Sequence, residues 1–215
     1  MAELVDVHAW GACVERRVGS TPIPSTTKPF TMKTLLYAAI IAIALTLMAC
    51  PYEADVEINS YEESIKADKK LIDNWVSFNE EGGRTELVIT KLEKAVLQVY
   101  HKQFNSENKQ EVRESYRVYG SEVGEYSLFN IERKDGKYLF AKYAWTGKNE
   151  FYMQLIDAKY MEENFKETAI TTKNLRAFIT ENVNRKELYG DKLEFYRKNS
   201  PEYHKVRTFM LKSGF

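Results

Sequence analysis

The chain has 215 residues, of which 29% are charged and 44% belong to the hydrophobic class, and its 31 basic residues balance 31 acidic ones. This composition is that of an ordinary globular protein and argues against general disorder. A chain without net charge lacks the field that attracts nucleic acid, so we expect no nucleic-acid partner. Its two cysteines, Cys13 and Cys50, exclude a disulfide-dense framework.

Residues 1–31 precede the first hydrophobic segment and show no apolar periodicity. Their opening stretch, MAELVDVHAWGACVERRVGSTPIP, resembles the conceptual translation of a leucine transfer-RNA gene, with GSTP at the T-arm and AELVD at the D-arm. We therefore expect residues 1–31 to be a spurious N-terminal extension and Met32 to be the natural start. The alternative is a genuine disordered leader, and the DNA sequence upstream of Met32 distinguishes the two.

Residues 32–49 have the layout of a bacterial signal peptide. Lys33 provides a basic region, and Leu35–Met48 is an apolar run of about fourteen residues, shorter than the roughly twenty that a membrane span needs. The run ends at Leu47-Met48-Ala49-Cys50, which resembles the lipobox of lipoproteins. We therefore expect Cys50 to be lipidated and the mature protein to be anchored in the cell envelope, where two or three acyl chains make anchoring stable. An uncleaved, short membrane helix is the alternative.

Residues 50–69 are rich in charge and poor in large apolar side chains, which predicts a tether between the lipidated Cys50 and the folded domain. Glu53, Asp55 and Glu57 follow the cysteine closely and resemble the acidic export tags of surface lipoproteins in Bacteroidota. An ordinary solvated linker would have the same composition.

Residues 70–215 predict one β-rich domain with a C-terminal helical segment. A turn of helix around Leu71 leads to a strand at Trp75–Phe78, and further strands follow by alternation of apolar and polar residues. Asp135-Gly136 is the best hairpin signal, because this pair tolerates the positive φ of a tight turn. The predicted strands are Leu87–Thr90, Ala95–Lys102, Val112–Gly120, Tyr126–Arg133, Tyr138–Trp145 and Phe151–Ile156.

The pattern changes from strand to helix after these strands. Leu175, Ile179 and Val183 fall at helical spacing behind Thr171 or Thr172 as N-cap. A second short piece around Phe195, helical or extended, closes the domain. The fold class is therefore α+β and mainly β: an antiparallel meander forming a curved sheet or small barrel, with a C-terminal helix at an open end or on the outside.

Cys50, the charged segment, the turn leading to Trp75, the meander and the terminal helix together resemble uncharacterised lipoproteins of Bacteroidota, some of them lipocalin-like. The resemblance runs from Met32 to the C-terminus and implies a lipocalin-like barrel on the outer membrane, on its periplasmic or surface face. Lipocalins usually carry glycine two residues before the tryptophan, where this chain has Asp73.

No motif in the sequence predicts catalysis. His101 and His204 are the only histidines after Cys50 and lack metal-ligand spacing, so we expect neither a metal centre nor a cofactor. Ser121 lies between glycines in YGSEVG, but this stretch lacks the GxSxG pattern and is more typical of a turn. Gly82-Gly83 lacks the lysine of a phosphate-binding loop. We therefore assign no catalytic residue.

Aromatic side chains are the most conspicuous candidates for a binding site. Tyr143 and Trp145 share one face of a strand, and aromatics also occupy its other face. This strand is either buried on both sides as core or lines a ligand cavity, for which we name Tyr143, Trp145, Trp75 and His101 as possible lining residues.

The leading interpretation is a non-enzymatic envelope lipoprotein whose β domain binds a small apolar ligand or a protein partner. The alternatives are an envelope hydrolase with dispersed catalytic carboxylates and a structural surface protein. A pocket with convergent acids would favour the hydrolase, and a dry aromatic cavity would favour binding.

Overall fold

The computed structural model describes residues 51–79 and 82–213, so the predicted extension, signal peptide and Cys50 lie outside the described residues. Nine strands and three α-helices occur in this part of the chain, with short 3₁₀ turns between them. The strands are β1 (Glu53–Ala54), β2 (Asn74–Phe78), β3 (Arg84–Lys91), β4 (Val96–Phe104), β5 (Gln110–Val123), β6 (Tyr126–Glu132), β7 (Tyr138–Trp145), β8 (Glu150–Leu155) and β9 (Leu193–Arg197). The helices are α1 (Ala158–Asn164), α2 (Thr172–Asn182) and α3 (Pro201–Lys212).

Strands β2 to β9 form a closed antiparallel barrel. Consecutive strands pair as hairpins from β2 to β8, and β9 then pairs with both β8 and β2, which completes a ring of eight strands. The short β1 adds to β7 outside this ring. The prediction of a mainly β, lipocalin-like barrel with a C-terminal helix is confirmed, and closure leaves few exposed strand edges.

The closing seam between β2 and β9 is reinforced by charged and aromatic side chains. Arg197 on β9 stacks over the Trp75 ring at 5.0 Å and forms an ion pair of 2.5 Å with Asp73. The aspartate that replaces the usual lipocalin glycine is thus accommodated as the partner of Arg197. The carbonyl oxygen of Leu71 accepts a hydrogen bond of 2.8 Å from the Trp75 indole. This bond holds the preceding turn against the end of the barrel at which β2 begins, which we call the lower end.

The barrel interior contains a continuous apolar core, because alternate residues of every strand point inward. On β4 the inward residues include Leu97, Val99 and His101, as the alternation predicts. The predicted hairpin at Asp135-Gly136 is present, and Gly136 has a φ of 82° that glycine adopts without strain. The buried members of this core include Leu71, Trp75, Leu87, Ile89, Tyr116, Val118, Phe129, Ile131, Leu139, Phe151, Met153 and Phe195.

A second core lies outside the barrel wall, between the wall and a layer formed by residues 51–69, α1 and α2. Leu128 and Phe140 point outward from β6 and β7 into this core, while Phe129 and Leu139 beside them point inward. The strand Tyr138–Trp145 is therefore buried on both faces, which explains why both faces carry aromatic residues.

Residues 51–69, expected to form a tether, lie along the barrel wall; we call them the strap. Backbone hydrogen bonds attach the strap to the wall after β8 and at β5: Tyr52 N–H donates to the Ile156 carbonyl at 2.8 Å, and Ile65 N–H donates to the Gly120 carbonyl at 3.0 Å. Ile58 is fully buried between these points. The few apolar residues of the strap thus fill sites on the outer wall instead of facing solvent.

A buried polar cluster fixes the middle of the strap. Asn59 accepts hydrogen bonds from the Ser121 hydroxyl and, at 3.0 Å, from the Asn130 amide, while Ile58 N–H donates to Asn130 at 2.9 Å. The expectation that Ser121 lies in a turn is wrong: it is a buried residue within β5, and the turn falls at Gly124. Buried polar groups of this kind hold a segment in one position because breaking the cluster leaves them unpaired.

The region after β8 differs in detail from the sequence prediction. Helix α2 begins behind its predicted N-cap, since the Thr171 hydroxyl accepts a hydrogen bond from the Asn174 N–H. The ambiguous piece around Phe195 is strand β9, which closes the barrel. Helix α3 follows β9, with Ser200 as its N-cap and Pro201 in its first turn. This pair is a typical start signal for a helix, but the sequence prediction placed no helix here.

Candidate functional site

The barrel encloses a small apolar cavity. Its volume is about 40 Å³, enough for about three water molecules and well below the roughly 300–1,000 Å³ of typical ligand sites. The interior is therefore largely filled by side chains. The cavity is lined by Leu71, Leu87, Ile89, Leu97, Val99, His101, Tyr116, Val118, Phe129, Ile131, Phe151 and Met153.

His101 is the most polar of the four predicted lining residues, and it does line this cavity. It is 1% exposed, and its ring lies 6.3 Å from that of Tyr116. Burial lowers the pKa of His101 from 6.5 to about 4, so the imidazole is neutral at pH 7. A neutral imidazole leaves the cavity without charge, as an apolar ligand requires.

Trp75, Tyr143 and Trp145 lie together at the lower end of the barrel and do not line the cavity. The Trp75 ring lies 5.7 Å from that of Trp145 and 4.8 Å from that of Phe151, and Tyr143 stacks on Phe129 at 4.1 Å. The structure therefore places these three rings in the core packing that the sequence left as an alternative to ligand lining.

The lower end of the barrel is covered by the last part of the strap and the turn before β2. The Asp68 carboxylate accepts a hydrogen bond of 2.9 Å from the Trp145 indole, while Leu71 is buried against the interior core. Trp145 thus fastens this cover, and the space left beneath it, lined in part by Tyr143 and Phe129, is only about 10 Å³.

A cleft of about 420 Å³ lies at the opposite, upper end of the barrel, between the start of β5 and the hairpin that joins β6 to β7. It exists because β6 pairs with β5 only from Arg117 onward, and in the part of the chain that the structure describes no other strand pairs with the first half of β5 on that side. The cleft is lined by Arg113, Glu114, Ser115, Tyr116, Arg133, Lys134 and Asp135.

Tyr116 separates the cleft from the cavity, since its side chain lines both. The Tyr116 hydroxyl donates a hydrogen bond to the Glu114 carboxylate. Burial, followed by this hydrogen bond, raises the pKa of Tyr116, so the phenol stays protonated at neutral pH. Both residues were missed in the sequence, although the inward alternation of Val112, Tyr116 and Val118 already puts the charged Glu114 on an inward face.

Helix α3 presents a separate apolar surface. Phe209 and Leu211 are 67% and 64% exposed, and grooves of about 720 and 470 Å³ flank the helix. Tyr203 attaches the helix to the barrel by stacking on Phe78 at 6.0 Å. These grooves share no lining residue with the barrel cavity.

Within the described ranges, no cluster of three or more His, Cys, Asp or Glu residues has the arrangement of a metal site. His204 lies on α3, exposed and away from the cavity that His101 lines. In the same ranges, the helices are all too short or too polar to cross a bilayer.

Neither a protein-family model, nor a curated protein sequence, nor a solved structure matches this chain. Its class is therefore defined by its architecture, which is that of a small lipocalin-like barrel with a strapped outer wall. The candidate site of that barrel is the cavity beside His101 together with the cleft behind Tyr116.

Proposed function

We propose that the protein is a lipid-anchored lipoprotein of the cell envelope, on the outer membrane, whose barrel binds a small apolar ligand without changing it chemically. One observation carries the binding part: an apolar, uncharged cavity and a cleft of about 420 Å³ lie on either side of one residue, Tyr116, which lines both. If the Tyr116 ring turns aside, cavity and cleft together fall within the roughly 300–1,000 Å³ of small-molecule sites.

Ligand binding is tested with 1-octanol, a neutral apolar probe, titrated calorimetrically against the full chain in phosphatidylcholine nanodiscs with empty nanodiscs subtracted. Val118→Leu adds a methylene inside the cavity and is expected to weaken octanol binding several-fold, because it takes up space needed by the probe. Val88→Leu, the same change on the outer face of β3, is the control. Absence of heat beyond the empty nanodiscs, or equal effects of the two variants, would count against the proposal.

The anchoring part rests on the lipobox at Cys50. In the native host, an azide-bearing palmitate analogue is expected to label the wild-type chain and the Cys13→Ala variant, but not Cys50→Ala, because only the Cys50 thiol receives the diacylglycerol. Gel fluorescence after click coupling measures this. Label retained on Cys50→Ala, or intact protein beginning upstream of Met32 without fatty acid, contradicts lipidation.

A further inference from the structure

The cleft beside Tyr116 contains more cations than carboxylates. Arg113, Arg133 and Lys134 line it together with Glu114 and Asp135. Two of these five groups are neutralised locally, since Arg133 pairs with Asp135 at 3.4 Å; Arg133 also pairs with Glu53 from the strap. A mouth built only to admit a neutral apolar molecule would not need this excess of charge.

Two of the cations lack a carboxylate of their own within the described part of the chain. Among the residues described, neither Arg113 nor Lys134 takes part in an ion pair. Glu114 accepts the Tyr116 hydroxyl and is a third charge outside these ion pairs, so the cleft has one cation in excess. In addition, Lys102 on β4 lies directly opposite Arg113 in the β-ladder. Like charges in directly opposite positions repel, so an anion placed between Arg113 and Lys134 would relieve unfavourable electrostatics.

The position of these charges relative to the cavity defines the shape of the ligand. Arg113 and Lys134 lie at the cleft, Tyr116 lies between cleft and cavity, and beyond Tyr116 the walls are apolar apart from the neutral His101. A molecule lying across this boundary meets a charged end with one cation in excess, and beyond Tyr116 an uncharged and mainly apolar end.

We propose that the ligand is a single-chain amphiphile with an anionic head, of the fatty-acid type. Arg113 and Lys134 bind the head in the cleft, and the apolar chain passes Tyr116 into the barrel. The mouth is thus in the side of the barrel, at the half of β5 that β6 does not reach, and not at the end covered by Asp68 and Leu71. This inference rests on the proposed ligand-binding function and adds the chemical class of the ligand.

The test compares octanoate with 1-octanol and octylamine at pH 7, titrated against the full chain in phosphatidylcholine nanodiscs. Octanoate is expected to bind about tenfold more tightly than octanol, because charge-assisted hydrogen bonds to Arg113 and Lys134 exceed those to a neutral hydroxyl. Octylamine is expected to bind more weakly than octanol. In the Arg113→Gln/Lys134→Gln variant, octanoate and octanol are expected to bind equally, with octanol unchanged from wild type.

The control is Lys91→Gln/Lys94→Gln, which removes two charges at the opposite end of the barrel, where both lysines are exposed. It should keep the tenfold preference for octanoate. The inference is overturned if octanoate and octanol bind the wild type equally, or if the preference survives in the Arg113→Gln/Lys134→Gln variant. Failure of the underlying function looks different, since then neither octanoate nor octanol binds.

Discussion

His101 is a residue whose environment should be visible in the pH dependence of stability. Burial lowers its pKa to about 4 in the folded protein, against 6.5 ordinarily. As pH falls, the unfolded chain takes up the proton first, so this contribution to stability is complete above about pH 6.5 and is lost between pH 6.5 and 4. Over this window we expect the free energy of unfolding to fall by about 3 kcal/mol because of His101.

Urea unfolding at several pH values measures this loss of free energy of unfolding. Variants separate the contribution of His101 from that of carboxyl groups, which also take up protons as the pH falls. His101→Phe keeps an aromatic ring but has no proton to gain, so its stability should change less between pH 6.5 and 4 than that of the wild type. His204→Gln, on the exposed face of α3, should follow the wild type. A pH profile of His101→Phe that coincides with the wild type would contradict the assignment.

Among the elements, the strap depends on the absence of a side chain at Gly120. A Cβ at this position would lie 2.6 Å from the Ile65 Cγ1 atom, and the β-branched Ile65 has little freedom to move aside. We expect Gly120→Ala to lower the free energy of unfolding by about 1–2 kcal/mol through overpacking, as measured by urea unfolding. In an Ile65→Ala background the same substitution should cost clearly less.

Gly136→Ala is the matched control for this cycle. Gly136 has a φ of 82°, and a methyl group added there would meet no other atom within 4 Å, so alanine is unfavourable through backbone strain alone. Its cost of about 1 kcal/mol should be independent of Ile65. If Ile65→Ala leaves the cost of Gly120→Ala unchanged, the strap does not pack at this point as described.

The elements that sequence reasoning recovered are those with local signals. The hairpin at Gly136 and the inward alternation ending at His101 are readable because each depends on residues close in the chain. Strand β9 was ambiguous, since its five residues include two charges and its partner β2 lies more than a hundred residues earlier. The position of the strap depends on contacts such as Ile58 with Asn130, 72 residues apart, which no local pattern encodes.

The candidate site was only partly predictable for the same reason. His101 follows from alternation along one strand, whereas the cleft exists because pairing between β5 and β6 stops at Arg117. Register of this kind is set by the whole sheet. Trp75, Tyr143 and Trp145 were named as possible lining of a cavity, and the structure packs their rings in the core, the alternative that the sequence also offered. Large aromatic rings serve both purposes, so sequence alone does not separate the two.

For the whole molecule, the structure and the sequence lead to different expectations about where the folded unit begins. If residues 50–69 were a solvated tether, a chain starting at residue 70 would be as stable as one starting at residue 51. The structure instead buries Ile58 and Ala54 of the strap on the outer wall and fixes Asn59 in a polar cluster.

We expect the chain starting at residue 70 to be less stable than the chain starting at residue 51 by at least about 3 kcal/mol in urea unfolding. Ile58→Ala in the longer chain should reproduce part of this loss, about 2–4 kcal/mol. Equal unfolding midpoints for the two chains would mean that the strap does not hold the outer wall in solution.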